Sequence, residues 1–328
     1  MLSSILAVTV PFFALVLAGY VAARRHVLPE SAIPGLNAFV LYFALPCLLF
    51  RFGAGTPVLE LLNPAVLLVY VPVQLLIVFF TVGITLSRRV GLKDASFGAL
   101  VAAFPNTGFM GVPLLVALLG PAAAGPLITC ILVDLFVTSS LCIALSQWVA
   151  HAPGDAAAGS EARAAAARAL RGALSNPLPW SIALGALFSA FELKLPGPAD
   201  MVVRMLADAA SPVALFTIGA VLWRAGQHAH TRTPTAEYLP VALVKLVVHP
   251  LVVLVAALAA KSLGLPLTMF QITVITLGAA LPSASNVSLL AERYGADNGR
   301  IARIIMSSTA LAFVTFTAAA WLFGVQPR

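Results

Sequence analysis

Ten stretches of this 328-residue chain run for about the thickness of a bilayer with few or no charges. They cover approximately residues 2–22, 34–53, 64–87, 95–119, 122–148, 178–193, 198–223, 238–262, 266–291 and 300–324. A hydrocarbon core of about 30 Å takes about 20 apolar residues of α-helix, and backbone that does not bond to itself is too costly there to face lipid. Charged residues are 9% of the chain, against about 25% in a soluble domain, so the polar surface is too small to face water. The sequence therefore predicts an all-α integral membrane protein of ten transmembrane helices. The sixth run is short and the fourth and ninth are interrupted, so nine to eleven spans fit the pattern. The alternating ten-residue segments of a β-barrel are absent.

The first run has no basic residue ahead of it and no small-residue cleavage site, so it reads as a retained helix and not a signal peptide. The net charge of +7 is asymmetric. With ten spans, thirteen of the 19 Lys and Arg fall in odd-numbered loops, among them Arg24, Arg88, Arg171, Arg293 and Arg300, and four fall on the other side. Basic residues stay on the cytoplasmic side, which places both termini outside. The charge thus reports topology, and no nucleic-acid partner is implied. Cys47, Cys130 and Cys142 all lie in apolar runs and read as small buried hydrophobes.

The polar stretch 151–176 divides the chain into two five-span halves, 1–148 and 177–328, with 149–176 as a cytoplasmic linker. The halves echo each other. "ALPCLLF" at 44–50 resembles "ASPVALF" at 210–216, "RRVGL" at 88–92 resembles "KSLGL" at 261–265, and the break at Pro105 is matched by "LPSASN" around Pro282. Five is odd, so the second half must insert upside down, giving an inverted repeat of the kind many secondary transporters share.

The breaks themselves carry chemistry. "FPNTGFMGVPLL" at 104–115 puts Pro105, Gly108 and Gly111 inside a membrane run, where proline removes a donor and glycine favours non-helical backbone. Such backbone survives only buried in protein or lining a cavity. Half-helices beginning near Gly108 and near Ser285 would aim positive dipole ends at a common site suited to a carboxylate. Asn106, Thr107, Ser283, Ser285 and Asn286 would add uncharged donors.

At these residues the sequence resembles the auxin efflux carrier family, whose bacterial members include dicarboxylate permeases. "NTGFMGVPL" at 106–114, "KLVVHP" at 245–250, "LPSASNVSLLAERYGAD" at 281–297 and "GLNAFVLYFALPCLLF" at 35–50 carry the resemblance. It implies ten helices in two inverted repeats, with the fourth and ninth broken and crossing, a fold like that of bile acid/sodium symporters. It further implies a scaffold (1–55 and 177–225) that dimerises, and a transport domain (64–148 and 238–325) that moves against it as an elevator. By position, Pro105, Asn106, Thr107, Gly108, Pro282, Ser283, Ser285 and Asn286 would form the substrate site. The implied setting is a bacterial inner membrane.

Charges inside the membrane are costly and hence functional candidates. Asp134 and Lys245 are the two expected to couple transport to protons or to form a fixed ion pair. Arg204 and Asp208, four apart, are expected to pair locally. His249, before Pro250, sits where helix is disfavoured and, with Asn37, is a further candidate for the site. "QHAH" at 227–230 has too few ligands for a metal, and no cofactor is implied. Without a phosphate-binding G-x-x-x-x-G-K-[ST] motif, energy would come from substrate, H⁺ or Na⁺ gradients. A secondary carrier of small organic anions such as malonate or malate is the leading expectation. A cation/proton antiporter is the alternative, weakened by the absence of carboxylates at the breaks, and an enzyme is disfavoured because no H-E-x-x-H or G-x-S-x-G occurs.

Overall fold

A computed structural model describes residues 2–148, 164, 167, 171–172, 174–227 and 233–326. Most of the 149–176 linker and the histidines of "QHAH", His228 and His230, lie outside the described residues. Among those described, the chain is all-helical with no strand. Seven helices are long and apolar enough to cross a membrane. They include α1 (Leu2–Arg24), α2 (Glu30–Gly55) and α3 (Pro64–Thr85). The fourth run is split into α4 (Leu92–Ala103) and α5 (Thr107–Leu119), followed by α6 (Pro121–Ser146) and the short α7 (Pro177–Ala190). Next come α8 (Gly197–Gln227) and α9 (Thr235–Ser262). The ninth run is split into α10 (Met269–Ala279) and α11 (Val287–Arg293), and α12 (Asn298–Leu322) closes the chain.

Helix starts follow their caps. The Asn63 side chain accepts from the Ala65 and Val66 N–H groups at the head of α3, and Asn176 does so from Leu178 at the head of α7. Thr268 and Gln271 form a reciprocal capping box on α10. Three prolines within helices are absorbed by widened turns. Val40–Ala44, Thr107–Gly111 and Val244–Val248 are π-helical, and each ends two residues before a proline: Pro46, Pro113 and Pro250. A proline lacks the N–H that the preceding turn needs, and the wider turn relieves its ring. His249 is consequently helical (φ −57°, ψ −55°), which corrects the expectation that Pro250 would push it out of helix.

Two helix pairs meet without intervening side chains. A Cβ on Gly19 of α1 would lie 1.8 Å from the Phe216 carbonyl oxygen of α8, and one on Gly219 would lie 1.9 Å from the Val16 oxygen. Likewise a Cβ on Gly185 of α7 would lie 2.4 Å from the Phe50 oxygen of α2, and one on Gly53 would lie 2.9 Å from the Ile182 oxygen. Small residues that let backbones touch are the usual glue of membrane helices, because lipid gives no hydrophobic drive to associate. The other packed region is formed by α3, α4, α6, α9, α10 and α12, and its interior is polar at a few fixed points.

At one end of that region Arg300 is 1% exposed. Its Nε donates to the Glu237 carbonyl at 2.9 Å and its Nη1 to the Asp94 carbonyl at 2.9 Å, tying the starts of α12, α9 and α4 together. Gly98 leaves the space, since a Cβ there would come within 2.8 Å of Nη1. The sequence places Arg300 in a loop as an ordinary topology charge; its burial among three helix starts corrects that. Arg204 pairs with Asp200 (3.3 Å) and not with Asp208, one turn towards the N-terminus instead of one turn after it.

Candidate functional site

The two interruptions meet. Where α4 ends, Phe104 has an extended backbone (φ −100°, ψ 95°), and Pro105 bridges antiparallel to Ser283 of the second break. The Asn106 N–H donates to the Pro282 carbonyl at 2.8 Å, and the Ala284 N–H donates to the Phe104 carbonyl at 3.0 Å. The Ser283 N–H donates to Ser308 Oγ on α12 at 3.2 Å. Backbone groups released by breaking two helices inside a membrane protein are thus satisfied by each other and by side chains of neighbouring helices, the requirement that makes such breaks tolerable at all. Gly111 permits the approach, because a Cβ there would sit 2.5 Å from a Leu281 methyl. Gly108 faces open space.

Asn106 and Asn286 occupy corresponding places, each at the N-cap of the half-helix that follows its break. Asparagine at that position ordinarily turns its side chain back to bond the helix N–H groups. Neither does so here, and both carboxamide oxygens are buried without a partner. Ser283 Oγ is likewise buried and unpartnered. A cavity of about 30 Å³ lies among Asn106, Asn286, Gly108, Ala284, Phe104 and Asp134. That is one water's share of volume. It adjoins a cavity of about 250 Å³, with Phe104, Phe109, Leu135 and Asn286 lining both. Asn37, Asn176 and Arg293 supply the larger cavity's polar wall. Asn286, Leu290 and Arg293 are four and three apart, and so present one helical face to it.

Of the eight residues expected at the site, Pro105, Asn106, Thr107 and Gly108 line the small cavity together with Asn286. Pro282 and Ser283 form the paired backbone behind it, and Ser285 is buried beside them. One expectation about dipoles needs correction: the half-helix expected from near Ser285 is only the seven residues Val287–Arg293, while ahead of Gly108 the Thr107 N–H bonds the Pro105 carbonyl at 2.8 Å. A helix this short has a small macrodipole.

Asp134 and Lys245 are both fully buried but form no salt bridge with each other. Asp134 starts a π-helical turn of α6, Asp134–Thr138. It accepts hydrogen bonds from Tyr70 Oη at 3.3 Å, from Thr138 Oγ1 at 3.3 Å, and from Gln74 Nε2. Lys245 Nζ donates to the Ala279 carbonyl at 2.6 Å and lies 3.2 Å from His249 Nδ1. The rings of Tyr70 and His249, one a partner of each group, are 6.3 Å apart. The direct ion pair that the sequence suggested is therefore replaced by two separate sets of partners. Tyr70 was missed in the sequence because an isolated tyrosine in an apolar run carries no signal of its own. Cys47, Cys130 and Cys142 are free thiols, the last two buried. Among the described residues no cluster could hold a metal ion.

Crossed, mutually bonded helix breaks at the centre of a multi-pass helical protein define a membrane transporter. The sequence profile of the membrane transport protein family matches residues 4–320, and the chain belongs to that family, the auxin efflux carrier family of the motifs above. It is 31% identical over 327 residues to a Rhizobium meliloti (strain 1021) protein named "Putative malonate transporter", covering 98% of this chain and 96% of the relative. It is 25% identical over 315 residues to "Uncharacterized transporter YfdV" of Escherichia coli (strain K12), covering 95% of each. An "Uncharacterized transporter" of Methanothermobacter thermautotrophicus is 26% identical over 306 residues, covering 92% of each.

Proposed function

We propose that this chain is a secondary transporter of small organic anions, mono- or dicarboxylates such as malonate, and that a substrate carboxylate binds at the crossing of the two breaks. The observation that carries the proposal is the pair of N-cap asparagines, Asn106 and Asn286, whose carboxamides are buried at the cavity without bonding their own helices. An amide that does not cap its own helix can present its Nδ2 donors to a solute carboxylate. The 30 Å³ cavity is too small for a carboxylic acid, so binding would widen it into the adjoining 250 Å³ space. The "malonate" in the name of the Rhizobium relative supports the substrate class.

The reading includes ten spans in two inverted repeats, with α4–α5 and α10–α11 as the broken fourth and ninth. The glycine contacts favour it. Gly19 and Gly185 are 166 residues apart, as are Gly53 and Gly219, and as are the matching segments at 44–50 and 210–216. An inverted repeat exchanges the α1–α8 contact with the α7–α2 contact, and that exchange maps each glycine onto its counterpart. The reading also takes α1, α2, α7 and α8 as a fixed scaffold that pairs into a homodimer. The remaining helices would move against it as an elevator in a bacterial inner membrane, with both termini outside.

Uptake of labelled malonate into proteoliposomes, with and without an imposed pH gradient, tests the site and the coupling. Asn106→Ala is expected to lower uptake at least tenfold while the protein still purifies as a folded species. Undiminished uptake in that variant would remove the crossing as the substrate site. One observation favours the alternative, a cation/proton antiporter: Asp134 does line the crossing cavity. Cation flux that persists without any organic acid, and disappears in Asp134→Asn, would establish that reading instead.

A further inference from the structure

Each broken helix ends in carbonyls with no helical partner, and each end is closed by one side chain from a neighbouring helix. Gln74 of α3 donates to the Ala103 carbonyl at 2.9 Å, on the last residue of α4. Lys245 of α9 donates to the Ala279 carbonyl at 2.6 Å, on the last residue of α10. The two caps stand 171 residues apart and the two carbonyls 176 apart, close to the 173 and 177 that separate the matched segments at 88 and 105 from their partners, so the proposed repeat would relate them. They differ in charge. The first is a neutral amide that also holds the Asp134 carboxylate; the second is an ammonium whose other partner is a histidine ring nitrogen.

The C-terminal end of a helix carries partial negative charge, and unwound carbonyls at such ends are where transporters hold a coupling cation. A mobile cation needs a place at those carbonyls, and at Ala279 the place is taken by a side chain of the protein. We propose that the Lys245 ammonium is a resident cation, bonded to the end of α10, that does the work of a co-transported Na⁺ and leaves substrate binding indifferent to Na⁺. Lys245 does not itself line the crossing cavity, so it is a positioning residue. It holds the second break in the geometry that pairs with the first, and adds a positive charge behind a site whose walls carry Asp134 and Arg293. This inference rests on the transport reading only for the substrate; the ion claim stands apart from it.

The repeat supplies the test. Lys245→Gln copies into the second half the cap that the first half already uses, which keeps a donor for Ala279 and removes the charge. Purified full-length protein would be unfolded thermally in choline chloride and in sodium chloride of equal ionic strength, with and without malonate. The wild type is expected to show the same midpoint in both salts. Lys245→Gln is expected to be stabilised by Na⁺ over choline, and to bind malonate about tenfold more weakly in choline than in Na⁺. Lys245→Arg, which keeps the charge, is expected to restore indifference to Na⁺. A wild type stabilised by Na⁺, or a glutamine variant as indifferent as the wild type, would overturn the inference. If the wild type bound no malonate, the substrate reading would fail, and the salt comparison alone would still decide the role of Lys245. Should the glutamine variant not fold, Lys245→Met read in the same two salts carries the same expectation.

Discussion

The contacts of α1 with α8 and of α2 with α7 differ in kind from the crossing of α4–α5 with α10–α11. In the first pair, helices approach until a carbonyl oxygen fills the space where a Cβ would be, and the closest contacts are backbone on backbone. At the crossing, the backbone is unwound and each approach is fixed by a directed hydrogen bond. Glycine contacts have no alternative partners and resist sliding. Hydrogen bonds between short unwound segments exchange partners without separating the elements. A protein that moves one region against another benefits from having both kinds, and from keeping its solute contacts in the second.

Mutation at the glycines is expected to have the largest effect. Gly219→Ala places a methyl 1.9 Å from the Val16 carbonyl oxygen, with backbone atoms on either side and no flexible group to yield. Overpacking ordinarily costs about 1–3 kcal/mol; a clash with backbone forces two whole helices apart and is expected to exceed about 4 kcal/mol. Size-exclusion profiles and yield in mild detergent would reveal it, with Gly35→Ala, where nothing lies within 4 Å, as the silent comparison. A tolerated Gly219→Ala would mean that the contact is loose, and the contrast between the two regions would collapse. Arg300→Gln comes next. It withdraws a buried cation from the Glu237 and Asp94 carbonyls, at about 1.5–3 kcal/mol for each such bond, and should lower the unfolding midpoint without altering solute preference.

These two sites also mark how far the sequence could be read. Long apolar runs announce the spans because the bilayer imposes a length, and Pro105 and Pro282 announce the breaks because each is followed by asparagine, serine or threonine inside an apolar run. Which groups then meet is a matter of partners far along the chain, 63 and 206 residues away for Arg300. Nothing near Phe104 points to Ala284, and nothing near Arg300 separates a buried tie between helix starts from a loop charge. Asp134 was legible as an outlier in lipid, and Gln74 as a polar residue suited to hydrogen bonding between helices, but Tyr70, one turn away, sits in a run of valine and leucine that looks like any other span. Glycine spacing was legible in principle, since the same 166-residue offset joins both pairs, but its meaning depends on knowing which helices touch. The π-helical turns follow a local rule, a proline two residues on, in three of four cases; the fourth, at Asp134, has no such proline and is instead closed by Ser139 Oγ donating to the Asp134 carbonyl at 3.0 Å.

The smallest expected change concerns the crossing alone. Ser308 Oγ accepts from the Ser283 N–H and donates to the Ile305 carbonyl at 3.0 Å, so it ties the second break to α12. Ser308→Ala leaves one buried N–H unpaired and is expected to cost about 1–2 kcal/mol of stability. The Pro105–Ser283 bridge, with its two backbone hydrogen bonds, would survive. If the pairing of the breaks is what positions Asn106 and Asn286, half-saturation for malonate should rise a few-fold in Ser308→Ala with the maximal rate preserved. Loss of the break-to-α12 tie would then be felt as poorer solute positioning and not as lost movement. A change in maximal rate with half-saturation untouched would assign Ser308 to the moving step, and would place the compliant part of the molecule at α12 instead of at the crossing.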